Sequence, residues 1–314
     1  MQFVGNRYEI LDYNSEIEVG KLYKARDTYY NSFVYISLIE VNKNVMKNFK
    51  PDFIDEITTL KEINSSYISK NLHIDVYCDE YDVYYYIVSE YFEGQTLKEY
   101  IYNNILDKNS IINIVSQIVK ALEIANTNNL YHGNLNPNNI LIDSNENIKI
   151  FDFGITKSNK GINLRQNGDL SYLCPHQLNI DYTDKDSDLF VLGIILFEMI
   201  FREHPFGHAY NDNEMLKLVD KGVKWSLLIY DESLTELVKI SQKLLSRKKE
   251  YKNSSEILID LSYIMYEEVE VDEEEDKIGY EEEECRSNKV NLKKKLVITM
   301  FTLLLVITIV IGYL

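Results

Sequence analysis

Cysteine is scarce. Cys78, Cys174 and Cys285 are the only three among 314 residues, and they stand far apart. That spacing excludes a disulfide scaffold and a Cys-rich zinc module, and it suits a reducing compartment. Positive charge is short as well: 33 Lys and Arg face 50 Asp and Glu, for a net charge of −17. Nucleic-acid binding of the sequence-independent kind rests on neutralising phosphates, so it is not expected here. No internal repeat is visible. Residues 1–7 hold no apolar h-region, so no signal peptide is expected ahead of the domain. Tryptophan occurs once, at Trp225, and carries no assignment.

Hydrophobic residues are plentiful, at 45% of the chain, and they are unevenly placed. Residues 296–314 form an uncharged apolar run that would rise roughly 28 Å as a helix, close to the thickness of a bilayer core. An acidic stretch cuts this run off from any core it could join, so a transmembrane helix is expected rather than a buried one. Residues 267–295 form a juxtamembrane linker that ends in Lys293, Lys294 and Lys295. These lysines place the preceding domain on the cytoplasmic side by the positive-inside rule. The acidic run 267–284 is expected to be an extended, self-repelling spacer. The chain then reads as a tail-anchored, single-pass protein of the cell membrane with its N-terminal domain in the cytoplasm.

The remaining 1–266 is long enough for a large domain with a proper core. Segments 7–11, 20–25, 33–39 and 84–91 alternate or run apolar as strands do, with turn residues at Asn14-Ser15 and Asn31-Ser32. Phe53, Ile57, Leu60 and Ile63 share one face at helical spacing. After Gly94 the pattern is mostly helical, through 111–125, 187–201 and 234–245. This predicts an α+β, two-lobed fold, with a small β-rich lobe over about 1–93 and a large helical lobe over about 94–266. The tyrosine-dense stretch 81–91 reads as a β-hairpin with aromatic cross-strand pairs.

Several motifs stand in order along this domain. They are Tyr86-Ile87-Val88-Ser89-Glu90-Tyr91-Phe92-Glu93-Gly94, His132-Gly133-Asn134-Leu135-Asn136-Pro137-Asn138-Asn139-Ile140-Leu141, Asp152-Phe153-Gly154, Tyr172-Leu173-Cys174-Pro175-His176-Gln177 and Asp186-Ser187-Asp188. As an ordered set over residues 7–265 they resemble the bacterial eukaryotic-type Ser/Thr protein kinases, in a degenerate, pseudokinase-like form. The resemblance implies the two-lobed kinase fold and, in a working member, ATP and Mg²⁺ in the cleft between the lobes.

The departures fall where the chemistry would be. Ser15, Ile17 and Glu18 fill the positions of the phosphate-cradling glycines, and Glu18 adds negative charge there. The strand-three lysine is Ser37. Tyr35 stands two residues earlier, where a small side chain would face adenine, and Glu56 has lost its lysine partner. The catalytic aspartate is Asn134, an amide that cannot act as a base near neutral pH. The lysine two residues on is Asn136. His176 and Glu250 replace the glutamate and arginine of one ion pair, so neither charge is left alone. The resemblance implies that Leu22, Tyr35, Glu56 and Leu141 line the nucleotide cleft, and that Asn139 and Asp152 correspond to metal ligands. Those two either coordinate Mg²⁺ or hydrogen-bond local backbone. His132, Phe153 and Leu60 match a hydrophobic spine between the lobes, and Asp188 matches a residue that ties the catalytic loop to the large-lobe core helix.

No catalytic position is intact, so the expectation is a pseudokinase that binds proteins, an active kinase or a phosphatase among them, without useful phosphoryl transfer. No cofactor is required by this reading, and ATP and Mg²⁺ are expected to bind weakly at most. The alternative is an atypical Ser/Thr protein kinase of low activity, in which Lys21 or Lys24 swings toward the phosphates.

Overall fold

The computed structural model describes residues 3–17, 20–40, 60–78, 83–153, 170–180 and 183–275. The chain divides into two units, Met1–Ile264 and Met265–Leu314. In the second unit only residues 265–275 are described, and they are helical. The first nine residues of the acidic stretch, 267–275, are therefore wound into the helix Ser254–Glu275 and are not an extended spacer. The expected transmembrane segment, 296–314, lies outside the described residues. Among the described residues no helix is long and apolar enough to cross a membrane.

The first unit opens with an antiparallel sheet. Its strands are β1 (Phe3–Val4), β2 (Tyr8–Ile17), β3 (Gly20–Asp27), β4 (Ser32–Glu40), β5 (Asn71–Cys78) and β6 (Val83–Glu90), in the order β1-β2-β3-β4-β6-β5. Asn14-Ser15, expected to turn the chain, instead lie inside β2. Register shifts between Ile10 and Asp12 and between Tyr13 and Ser15 absorb the irregularity as bulges. β5 escapes a periodicity search because it is an edge strand carrying His73 and Asp75, polar residues that suit an exposed edge. The stretch 81–91 is not a hairpin by itself: residues 83–90 form the single strand β6, which pairs with the earlier β5, with Tyr77 and Tyr84 as register partners.

β4 is central, and it buries both faces. On one side Val34, Ile36 and Leu38 pack with Ala25, Tyr86 and Val88. On the other, Tyr35 and Ser37 share a face with Leu22 and Lys24 through the pairs Leu22↔Ser37 and Lys24↔Tyr35. That is why the segment reads as a continuous apolar run. It also aims positions 35 and 37 at the same cleft.

The larger part is helical: α1 (Leu97–Asn103), α2 (Lys108–Thr127), α3 (Pro175–Ile180), α4 (Lys185–Phe201), α5 (Asp212–Lys221), α6 (Thr235–Leu244) and α7 (Ser254–Glu275). A small sheet, β7 (Gln95–Thr96), β8 (Ile140–Ile142) and β9 (Ile148–Ile150), carries the loop before β8 and the turn after β9. α4 is apolar on nearly every side and is the core helix, started by Asp184, whose carboxylate caps the amides of Asp186 and Ser187. Its Gly193 lets α6 approach: a Cβ there would lie 2.7 Å from Leu244 Cβ. In that gap Ser241 Oγ donates to the Gly193 carbonyl at 3.1 Å.

Candidate functional site

The loop ahead of β8 is held by a carboxylate that is not itself in the loop. Asp188, in the first turn of α4, accepts the backbone N–H groups of His132 and Gly133, each at 2.7 Å. Burial pushes its pKa up to about 7, against the pull of those two amides. The His132 ring contacts the Phe151 carbonyl through Nε2 at 2.7 Å and lies 4.8 Å from the Phe153 ring. Burial lowers the His132 pKa to about 4, so it is neutral at physiological pH. Leu60 belongs to the same core as Phe153, at 2% exposure. These contacts form the frame that the resemblance implies for the spine residues and Asp188.

Within that frame the asparagines satisfy the loop itself. Asn136 Oδ1 accepts the Asn138 amide at 2.8 Å and so caps a short 3-10 turn, Pro137–Asn139. Asn136 Nδ2 and Asn139 Nδ2 both donate to the Asn134 carbonyl, at 3.3 and 2.9 Å. Asn136 is 1% exposed. At the position where the family has a cation reaching out to phosphate, this chain has a buried amide stapling its own backbone.

Two oxygens are left over. Asn139 Oδ1 and Asp152 Oδ2 are buried and have no hydrogen-bond partner among the described residues. Asp152 Oδ1 accepts from Ser37 Oγ at 3.1 Å, and burial raises the Asp152 pKa to about 6. Asp152 also adopts φ 62°, a left-handed conformation that a non-glycine residue holds only when its surroundings impose it. One carboxylate and one amide oxygen, both unsatisfied, are hard donors of the kind and number that Mg²⁺ takes from a protein while keeping its other ligands as water or phosphate. The donor set fits that ion.

The slot beside them is already filled. Tyr35 is 2% exposed and packs with Leu22, Leu141 and Phe151, the last edge-on at 5.5 Å between centroids. Its hydroxyl donates to the Phe92 carbonyl at 3.2 Å, just beyond the end of β6. Burial raises its pKa further above the ordinary tyrosine value. Phe151 and the Phe92 carbonyl were not singled out in the sequence. The only available signals were the adjacency of Phe151 to Asp152 and the place of Phe92 inside the motif 86–94. Lys24 Nζ does not reach toward Asp152; it donates to Tyr91 OH at 3.0 Å and lies over the rings of Phe33 and Tyr91.

Leu22, Tyr35, Ser37, Asn134, Asn136, Asn139, Leu141 and Asp152 are thus placed around one cleft or the loop that floors it. Ser15 and Ile17 lie in β2 opposite Leu22 and Gly20. Glu18 and Glu56 lie outside the described residues. His176 has turned to local partners: its Nε2 lies 2.9 Å from Ser187 Oγ and 3.2 Å from Asp184 Oδ1.

The sequence matches the protein kinase domain family over residues 18–264. It is 34% identical over 209 residues to the serine/threonine-protein kinase PrkC of Bacillus subtilis, covering 65% of this chain and 32% of that protein. To a probable serine/threonine-protein kinase of Clostridium acetobutylicum it is 33% identical over 282 residues, or 86% of this chain and 42% of the other. A probable serine/threonine-protein kinase of Clostridium perfringens is 32% identical over 214 residues, covering 65% of this chain and 30% of its own length. The chain therefore spans less than half the length of these relatives. By the family match, the ordered motifs and the two-lobed architecture, this chain belongs to the protein kinase family, with bacterial serine/threonine kinases among its relatives.

Proposed function

We propose that this chain is a pseudokinase, anchored to the cell membrane by residues 296–314, whose lobes bind a protein partner such as an active kinase or a phosphatase. The observation that carries the reading is Tyr35. Its ring fills the slot between Leu22 and Leu141, and its hydroxyl occupies the Phe92 carbonyl. Adenine would have to displace a buried phenol before any phosphate contact counted. The chemistry beyond the slot is short as well. Loss of a positioned general base costs ~10²–10⁴ in rate. Loss of an electrostatic donor costs ~10²–10³. Asn134 and Ser37 stand at those two positions.

A second reading, an atypical Ser/Thr kinase of low activity, is favoured by the names of the relatives and by the two unsatisfied oxygens at Asn139 and Asp152. Thermal-shift titration with ATP, with and without Mg²⁺, separates the two, because a ligand that binds only the native state raises the midpoint. The pseudokinase should show no shift and incorporate no radiolabelled phosphate. A Mg²⁺-dependent shift, with incorporation abolished by Asp152→Ala, would establish the second reading. Membrane anchorage is tested separately: the full chain should resist carbonate extraction, and protease outside spheroplasts should leave the domain intact.

A further inference from the structure

Between α5 and α6 the chain carries four consecutive large apolar residues, of which alternate ones, Leu227 and Ile229, are open to solvent. Leu227 is 71% exposed and Ile229 is 96% exposed, while Leu228 and Tyr230 are only half-buried. Single exposed leucines are ordinary; four consecutive apolar residues on a surface loop are not. The loop is also braced. Trp225 packs edge-on to Phe197 of α4 at 5.6 Å, and Tyr230 meets Phe201 at 5.8 Å. A 3-10 turn, Trp225–Leu227, is closed by the Leu228 amide donating to the Trp225 carbonyl at 3.3 Å. Two aromatic pillars thus hold up an aliphatic tip, so little ordering is left to be done when the tip is covered.

We propose that this tip, Leu227 to Tyr230, is a membrane-contact element that inserts into the interfacial region of the bilayer. Two features select lipid as the occupant. Tryptophan and tyrosine flanking exposed aliphatic residues match the preference of amphipathic rings for the headgroup level. The chain beyond the described residues also ends in the uncharged apolar run 296–314 behind Lys293, Lys294 and Lys295, which on the proposed anchorage keeps the domain beside a bilayer. The seventeen residues 276–292 can span at most about 60 Å. That reach is comparable with the breadth of a compact unit of 264 residues, roughly 50 Å. Tethering also raises the local concentration enough for a small contact to be populated. Charge does not drive it: Lys221 and Lys224 near the tip are outweighed by Asp231, Glu232 and Glu236. The contact is apolar, and it rests on the proposed anchorage.

Trp225 is the only tryptophan in the chain, so its emission reports on this loop alone. The full chain is reconstituted in zwitterionic vesicles, with and without brominated lipid, and recovered by flotation. The expected result is flotation, blue-shifted Trp225 emission quenched by the brominated lipid, and protection from acrylamide that persists in high salt. Leu227→Asp with Ile229→Asp changes only exposed side chains and should leave flotation intact while abolishing lipid quenching. A floating protein whose Trp225 is equally open to acrylamide with and without those substitutions, and unquenched by lipid, would overturn the proposal. Quenching lost in high salt would overturn the apolar contact. Failure to float would remove the anchorage reading first, and the tethered contact with it.

Discussion

Ser37 Oγ donates to Asp152 Oδ1 over 3.1 Å and so links β4 of the small lobe to the turn after β9. A neutral hydroxyl cannot offset the charge of a buried carboxylate, and the Asp152 pKa is accordingly raised to about 6. Its unfolded value is near 3.8. Between those values the native state holds a proton that the unfolded state has released, so Asp152 makes stability fall as pH rises through about 6. Asp152→Asn keeps the size of the side chain and tolerates the left-handed backbone. It should stabilise the protein at pH 8 by about 3 kcal/mol, with the gain vanishing below about pH 4. His132 has the opposite sign: its pKa is lowered to about 4, so stability rises with pH between there and 6.5. Asp188, whose pKa is raised to about 7, has the same sign as Asp152 and offsets His132 over that window, so removing Asp152 should flatten the fall rather than reverse it. Urea unfolding at several pH values measures it, and a variant no more stable than wild type at pH 8 would contradict the buried charge.

Nucleotide affinity should depend on Tyr35 more than on Ser37. Ser37→Lys restores a cation beside Asp152 but leaves the phenol in the slot, so calorimetric titration should detect no ATP binding. Tyr35→Ala opens the slot and should give measurable affinity, at a loss of stability of ~3–5 kcal/mol for a buried ring. The double variant should gain more than the sum, because both changes act on one ligand. Tight binding by Ser37→Lys alone would show that Tyr35 yields readily.

The β4 strand shows how far the sequence was legible. Its apolar run gave a strand, and alternation put positions 35 and 37 on one face. The Tyr35 hydroxyl on the Phe92 carbonyl could not be read, since it joins residues 57 apart. The same holds for the asparagines. Asn134 and Asn136 are visibly wrong for catalysis, but that Asn136 caps its own loop needs coordinates. Helices 111–125, 187–201 and 234–245 were legible because each has a long apolar face or core. The acidic stretch was misread over 267–275, where helix α7, begun on buried Ile257, Leu261 and Ile264, continues into like-charged sequence.

Tyr172 and Lys98 form a second polar group around one buried carboxylate, Glu198. Lys98 Nζ donates to Tyr172 OH at 2.7 Å and to Glu198 Oε1 at 2.8 Å, and Tyr172 OH donates to the same carboxylate at 2.8 Å. Glu198 is 3% exposed. Either Tyr172→Phe or Lys98→Met weakens the support of a buried charge, at a cost of about 1–3 kcal/mol each. The pair should be non-additive by roughly 0.5–3 kcal/mol, since they share one carboxylate. A double-mutant cycle by urea unfolding checks it, and additive losses would mean that Lys98, half exposed in the structure, is held there by nothing of consequence.

The last prediction concerns the exchanged ion pair. His176 and Glu250 line one cavity of about 610 Å³, bounded by Leu189, Leu216 and Leu244. They are not bonded to each other: His176 is directed to Asp184 and Ser187, and Glu250 is exposed. His176→Glu alone would set a carboxylate beside Asp184 Oδ1, which lies 3.2 Å from the present ring nitrogen. Like charges that close are repulsive by an amount that depends on the local dielectric, of order a few kcal/mol at an effective value of about 20. The new side chain can relieve part of this by turning into the cavity, so a loss of about 1–2 kcal/mol is expected. Glu250→Arg alone, on the surface, should change stability by less than about 0.5 kcal/mol. Together the two substitutions give the introduced carboxylate a cation across the cavity, and the double variant should recover most of the loss of the first. Urea unfolding of the three variants reads the coupling directly. Strict additivity would mean that the two positions do not meet across the cavity, and that the effect of His176→Glu is local to its own surroundings, Asp184 and Ser187 among them.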